Sequence, residues 1–245
     1  MGQRLGYDST MLNKIENGHV LGGPEVAEAL DALYKTPGLL LALWELANAD
    51  VSQFRQQYRR YMKLEGEALC LWHFGVSILP GLLQTPEYAR EILAVGGLKG
   101  DELDQQVEAR TSRRKVLEGD DAPPFRAVLS EASLRTPLSD PAAWRRQLES
   151  LLEACDQPGV TIQVLPHSAG LHGLVNTNVM FMRLANGTTV AWTENATRGE
   201  LIEDNARVEE LQRKYDAMRD LALSPAESRK FIMRLLEELP CEPST

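Results

Sequence analysis

A mixed α/β (α+β) chain is predicted, with a short all-helical front part at residues 1–62 and a larger part at 63–245 made of helices around a small β-sheet. Three features predict it. The first is a hairpin signature at 177–194, TNVMFMRLANGTTVAWTE, where two β-rich runs flank Asn186 and Gly187, and Asn-Gly supplies the backbone angles that tight hairpins need. The second is PAAWRRQLESLLEAC at 141–155, whose Trp144, Leu148, Leu151 and Leu152 share one side of a helix. The third is the front part itself, where Leu12 and Ile15, then Val26, Leu30 and Leu33, then Leu39, Leu40, Leu43 and Leu46 recur at helical spacing.

In the front part, glycine turns at Gly6 and Gly18 separate three short helical pieces. Asp8 or Ser9 caps the second piece and Gly18 ends it. The chain then continues through FRQQYRRYM at 54–62, which lacks the Gly, Ser and Pro of a flexible linker and predicts a helical connector. Arg55, Arg59, Arg60 and Lys63 make a basic stripe interleaved with Phe54, Tyr58, Tyr61 and Met62. Such a stripe either follows a phosphate backbone or is a solvated face opposite a packed one.

From Lys63 onward one domain is expected. Pro80 and Gly81 interrupt regular structure, and Thr85, Pro86 and Glu87 start a helix with Tyr88, Ala89, Ile92 and Leu93 on its apolar side. Residues 103–119 are expected to form a second helix, with Leu103, Val107, Val116 and Leu117 apolar and Arg110, Arg113 and Arg114 on its polar side. PFRAVLSEASL gives a strand ending at Glu131, and VTIQVLP a β-branched strand. Two helices close the chain, about 204–221 and 225–239, the last capped by Ser224 with Pro225 and Glu227 behind it.

Composition narrows the functional classes. The chain has 245 residues, 43% of them hydrophobic, enough for a sizeable core in one or two domains. Its longest apolar stretch, Leu39 to Trp44, is too short to cross a bilayer, so a cytoplasmic protein without a membrane partner is expected. Three cysteines without CxxC spacing argue against a disulfide framework and against a structural zinc site. The formal charge is −9, but residues 1–62 carry six basic and seven acidic side chains, so the front part is nearly neutral. Nucleic-acid affinity follows the local basic footprint, and such a module binds DNA even when attached to an acidic body.

RLGYDSTMLNKIENG at 4–18 resembles the second half of the helix-turn-helix domain of XRE (Cro and lambda-repressor-like) regulators, through Leu5, Gly6, Tyr7, Ile15, Glu16, Asn17 and Gly18. That resemblance implies a recognition helix over 8–17, with Ser9, Thr10 and Asn13 facing bases and Lys14 on phosphate. It also implies a homodimer on a double-stranded DNA operator, because one recognition helix reads a half-site. The family's first helix and most of its second would precede Met1, so an upstream start is expected.

The larger part is similar, over nearly all of 60–239, to a domain of unknown function that follows XRE modules in regulators of high-GC Gram-positive bacteria. PGLLQTPEYAR, the arginines at 110–114, SEASL, VTIQVLP with Gly170, the hairpin ending in Glu194, and ALSPAES carry the resemblance. It implies a domain that binds a small-molecule effector or a small protein partner. The chain is therefore expected to be a transcriptional regulator, the alternative being an antitoxin-like interaction module and the third reading an enzyme with Glu131, His172 and Glu194 in its site.

No catalytic residue is expected. GxSxG, HExxH, GxGxxG and GxxxxGK[ST] are all absent, and neither a cofactor nor a metal is called for. Strand ends collect ligands in α/β sheets, which makes Glu131, His172 and Glu194 candidate ligand-binding residues, with Trp192 a candidate apolar platform beside them. Each also has a structural reading: the carboxylates accept from nearby amides or pair with Arg113 or Arg135, and the tryptophan packs in the core.

Overall fold

The computed structural model describes residues 8–17, 20, 22–119, 121–194 and 199–239. The chain divides into two compact units, Met1–Arg59 and Arg60–Thr245.

In the first unit, α1 spans Ser9–Glu16 and α2 spans Pro24–Tyr34. Asp8 is the N-cap of α1 and accepts from the Thr10 amide. Leu12 is buried on the inner side of α1 and Val26 on that of α2. Gly22 is required between them, since its φ is 72° and a Cβ there would lie 2.8 Å from Ile15 Cδ1. The indole of Trp44 donates to the Gly22 carbonyl at 3.0 Å. Asp31 caps the next helix, α3 (Leu39–Glu67), by accepting from the Leu40 and Leu41 amides and the Thr36 hydroxyl. Burial alone would raise its pKa, but these donors outweigh it and hold the carboxyl below its ordinary value. Gly6 and Gly18, where turns are expected, lie outside the described residues, as do the side chains of Ser9, Phe54 and Arg55.

The second unit is the mixed α/β body that the sequence predicts. Its strands are β1 (Cys70–Gly75), β2 (Phe125–Ser130), β3 (Val160–Leu165), β4 (Asn178–Arg183), β5 (Thr189–Glu194) and β6 (Gly199–Ile202). They lie in the order β3-β2-β1-β4-β5-β6. The first three are mutually parallel, and β4 to β6 continue antiparallel. β5 therefore runs in the same direction as β1, and the carboxyl ends of β1, β2, β3 and β5 share one end of the sheet.

Alternation along β1 assigns the two faces. Leu71 and His73 stand in register with Phe125 and Ala127 of β2 and with Met182 and Met180 of β4. Trp72 and Phe74 point the other way, with Val128, Phe181 and Val179. This second face carries a core of Phe74, Val128, Val179, Phe181, Ala191 and Ile202, closed by Val208, Tyr215 and Met218 of α8 (Asn205–Arg219).

The helices are α4 (Pro86–Val95), α5 (Gly100–Ser112), α6 (Glu131–Leu134), α7 (Pro141–Cys155) and α9 (Pro225–Glu237), besides α8. Their starts follow the caps read from sequence: Thr85 accepts from the Tyr88 amide, and Ser224 with Glu227 forms a complete capping box. On α7, Trp144, Leu148 and Leu151 are buried while Leu152 is partly exposed.

The loop ahead of α4 is pinned from inside. Leu79 N–H donates to the Tyr88 hydroxyl, and the Gln84 amide donates to the Leu79 carbonyl. Gln147 of α7 accepts from the Thr85 amide at 2.8 Å and donates to the Leu83 carbonyl at 2.9 Å. Pro80 and Gly81 thus open a short 3₁₀ turn, Gly81–Leu83, with Leu82 and Leu83 buried.

Four local expectations need correction. The β2 strand stops at Ser130, whose hydroxyl caps the Ala132 amide, so Glu131 opens a helical turn. The helix expected over 103–119 ends at Ser112 and tightens into a 3₁₀ turn at Arg113–Leu117. Arg113 is not on a polar side: its side chain is 11% exposed and ion-paired. In the hairpin, Asn186-Gly187 closes a longer connection, in which Gly187 (φ 82°) donates to Leu184 and Leu184 donates to Thr188.

Candidate functional sites

On α1, Thr10, Asn13 and Lys14 are exposed. Their face is polar because Leu12 and Ile15 turn the apolar side of the helix inward. The Asn17 side-chain amide donates to both the carbonyl and the side-chain oxygen of Asn13, so part of the hydrogen-bonding capacity of Asn13 is spent on the helix end. Of the basic stripe on α3, Arg60 pairs with Glu203 at 2.7 Å and Lys63 with Glu67 at 3.8 Å, while Arg59 is exposed.

The carboxyl end of the sheet separates the four candidate ligand residues. Glu131, after β2, pairs with Arg135 at 2.6 Å and accepts from the His167 amide at 2.8 Å. Desolvation raises the Glu131 pKa, yet the His167 amide and the Arg135 pair more than compensate and lower it. Trp192 and Glu194 share a face of β5, and the indole donates to Glu194 at 3.1 Å. His172 is on the other face, edge-on to Phe74 with ring centroids 5.3 Å apart. The structure thus brings Trp192 to Glu194 and Glu131 to His167, and keeps His172 apart from all of them. Among the described residues, no group of three or more His, Cys, Asp or Glu is arranged to hold a metal ion.

The face that carries Trp192 also holds a buried polar cluster that sequence reasoning missed. Tyr61 of α3 stacks on Trp192 at 4.8 Å and 11°. Its hydroxyl donates to Glu65 at 2.6 Å, one helical turn on, and accepts from Arg113 at 3.0 Å. Arg113 grips Glu65 with two bonds, Nε to Oε1 at 2.9 Å and Nη2 to Oε2 at 2.6 Å. Glu65 is 1% exposed. The only sequence signal was the Tyr61/Glu65 spacing, which places the two side chains on one helix face.

His73, in the same sheet face, has a buried Nδ1 without a hydrogen-bond partner among the described residues. Burial, with the Arg113 charge behind it, pushes its pKa from the ordinary 6.5 down to about 3. The unfolded chain therefore takes up this proton first. The stability from keeping His73 neutral is full above pH 6.5 and is lost as pH falls toward 3. An ordinary value of 6.5 against about 3 in the folded chain corresponds to a loss of about 3 kcal/mol by pH 4. Urea unfolding at pH 7 and pH 4 checks this, because His73→Phe removes that portion of the acid sensitivity.

A groove of about 430 Å³ lies between α8 and the loop after β3. His172, Leu171, Arg213, Lys214, Met218 and Leu221 are among the residues that line it. A depression of about 540 Å³ lies near the other end of the sheet, but it is lined by loop residues such as Leu117, Ala122 and Pro158, with Glu118 its one charged group. The sequence reading found His172 of the groove and missed Arg213 and Lys214, because it singled out no side chain of the helix at about 204–221. No described helix is long and apolar enough to cross a membrane.

Residues 58–234 match the family described as Domain of unknown function (DUF5753). Neither the curated proteins nor the solved structures contain a match to the chain.

Proposed function

From the premise that this chain belongs to the DUF5753 family, we propose that it is a DNA-binding transcriptional regulator of XRE type whose larger unit senses a small molecule. The observation that carries this reading is the polar, exposed face of α1, where Thr10, Asn13 and Lys14 stand opposite a buried Leu12 in a helix capped by Asp8. The resemblance to a recognition helix ends in Ile15 and Glu16, on the same eight-residue helix, and Asn17, its C-cap. Base edges in a major groove are read by such side chains, and phosphates by lysines. The working form is a homodimer on a two-half-site operator. The chain carries out no reaction of its own: ligand binding biases occupancy by favouring one state of the protein over another.

Fluorescence anisotropy on the DNA upstream of the gene, at stepped salt concentrations, tests this. Log affinity falls linearly with log salt, and Lys14→Ala reduces the slope by about one. Asn13→Ala costs about 1–3 kcal/mol of specific affinity and leaves the slope unchanged. An affinity indifferent to salt would refute the reading.

A further inference from the structure

We propose that the groove between α8 and the 170–173 loop binds a small organic anion with an apolar body, which is the sensing ligand that the regulator reading requires and on which this inference rests. Its volume, about 430 Å³, is that of a small-molecule site. Its loop follows β3, at the carboxyl end of the parallel strands where ligands gather.

The lining decides the chemistry. Met218 is buried at the base, while Leu171 and Leu221 are 90% and 47% exposed and gain from being covered. Leu171 stands between Gly170 and His172-Gly173, a short stretch with little side-chain bulk to hold it open or closed. Glu210, the one carboxylate of the groove among the described residues, is taken by Lys214 at 2.6 Å. Arg213 lines the groove and makes no salt bridge among the described residues; it feels Glu210 only at longer range, behind Lys214, on a chain whose formal charge is −9.

The Leu174 amide donates to His172 Nδ1 at 3.3 Å, which leaves the ring proton on Nε2. Burial keeps that ring below its ordinary pKa, so at neutral pH it is an uncharged donor. The groove thus offers a guanidinium and an imidazole N–H beside apolar surface, and its acidic group is already satisfied. Charge complementarity selects an anion over a cation of the same shape.

Octanoate and octylammonium, titrated into the full chain with amide NMR shifts as the readout, test this. Octanoate is expected to saturate shifts at 171–174 and 213–221 with a dissociation constant tighter than about 1 mM, and octylammonium to bind about tenfold more weakly. Arg213→Ala weakens octanoate about threefold. Ala217→Trp, on an exposed position of the lining, abolishes binding while circular dichroism and sedimentation stay unchanged. Equal binding of the two amphiphiles, no saturable octanoate binding, or shifts confined to another surface would overturn the proposal. So would a change of oligomeric state in Ala217→Trp, which would make the face a contact between copies.

Operator affinity separates this inference from the reading beneath it. If octanoate binds as expected but an occupied groove leaves operator affinity unchanged, the groove stands and sensing falls. If an effector shifts operator affinity equally in Ala217→Trp, sensing stands and the groove inference falls.

Discussion

Arg113→Ala lowers the unfolding free energy of the larger unit by about 3–5 kcal/mol, because it strands the Glu65 carboxylate in the interior. Glu65 is 1% exposed and Arg113 supplies two of its hydrogen bonds, so losing the guanidinium leaves the carboxylate with a large part of its charge uncompensated. A loss of that size is a large share of the 5–15 kcal/mol typical of a domain. The double variant Glu65→Leu with Arg113→Met is expected to be milder than Arg113→Ala alone, since removing both charges leaves neither unpaired. Urea midpoints of the three proteins check this. A single variant as stable as the parent would mean that the pair is screened by solvent.

Gln147→Leu is expected to cost about 4 kcal/mol, from two buried backbone groups orphaned at about 2 kcal/mol each. The groups are the Thr85 amide and the Leu83 carbonyl, both held by a side chain with no measurable exposure. The loss is read from urea unfolding. Hydrogen exchange at Leu83 and Thr85 locates it, with faster exchange there than at Leu148 on the same helix. Gln147→Glu is informative beside it, because it keeps an acceptor for Thr85 and loses the donor to Leu83.

Local chemistry explains which parts of the fold were legible. The hairpin was visible because Asn186-Gly187 interrupts two β-rich runs, and the last helix because Ser224, Pro225 and Glu227 make a cap at fixed offsets. Long-range pairing was not visible. Glu65 and Arg113 are 48 residues apart, and nothing near Arg113 distinguishes it from its exposed neighbours on the same turn. Arg114 shows how little separates the two fates: it reaches only Ser150.

The candidate ligand residues illustrate the same limit. Glu131, His172 and Glu194 were chosen for a place at or after a strand end, and Trp192 as an apolar platform. Which side of the sheet a side chain faces depends on strand parity, and parity came only with the register. His172 therefore parts from Trp192 and Glu194 although all three lie toward one end. Arg213 and Lys214 were hidden in a run of charged residues whose partner in the groove, Leu171, is 42 positions upstream of Arg213.

The outer strand β3 has a further consequence. At Val164 its outward amide donates to the Ser228 hydroxyl, and its carbonyl accepts from the Leu223 amide. The chain's own tail segment thus occupies the hydrogen-bonding groups that another molecule would need for strand-by-strand polymerisation, and α9 lies over the same border. Shortening the protein before Leu223 would uncover a sticky seam, so truncated products should precipitate where the intact chain stays dispersed.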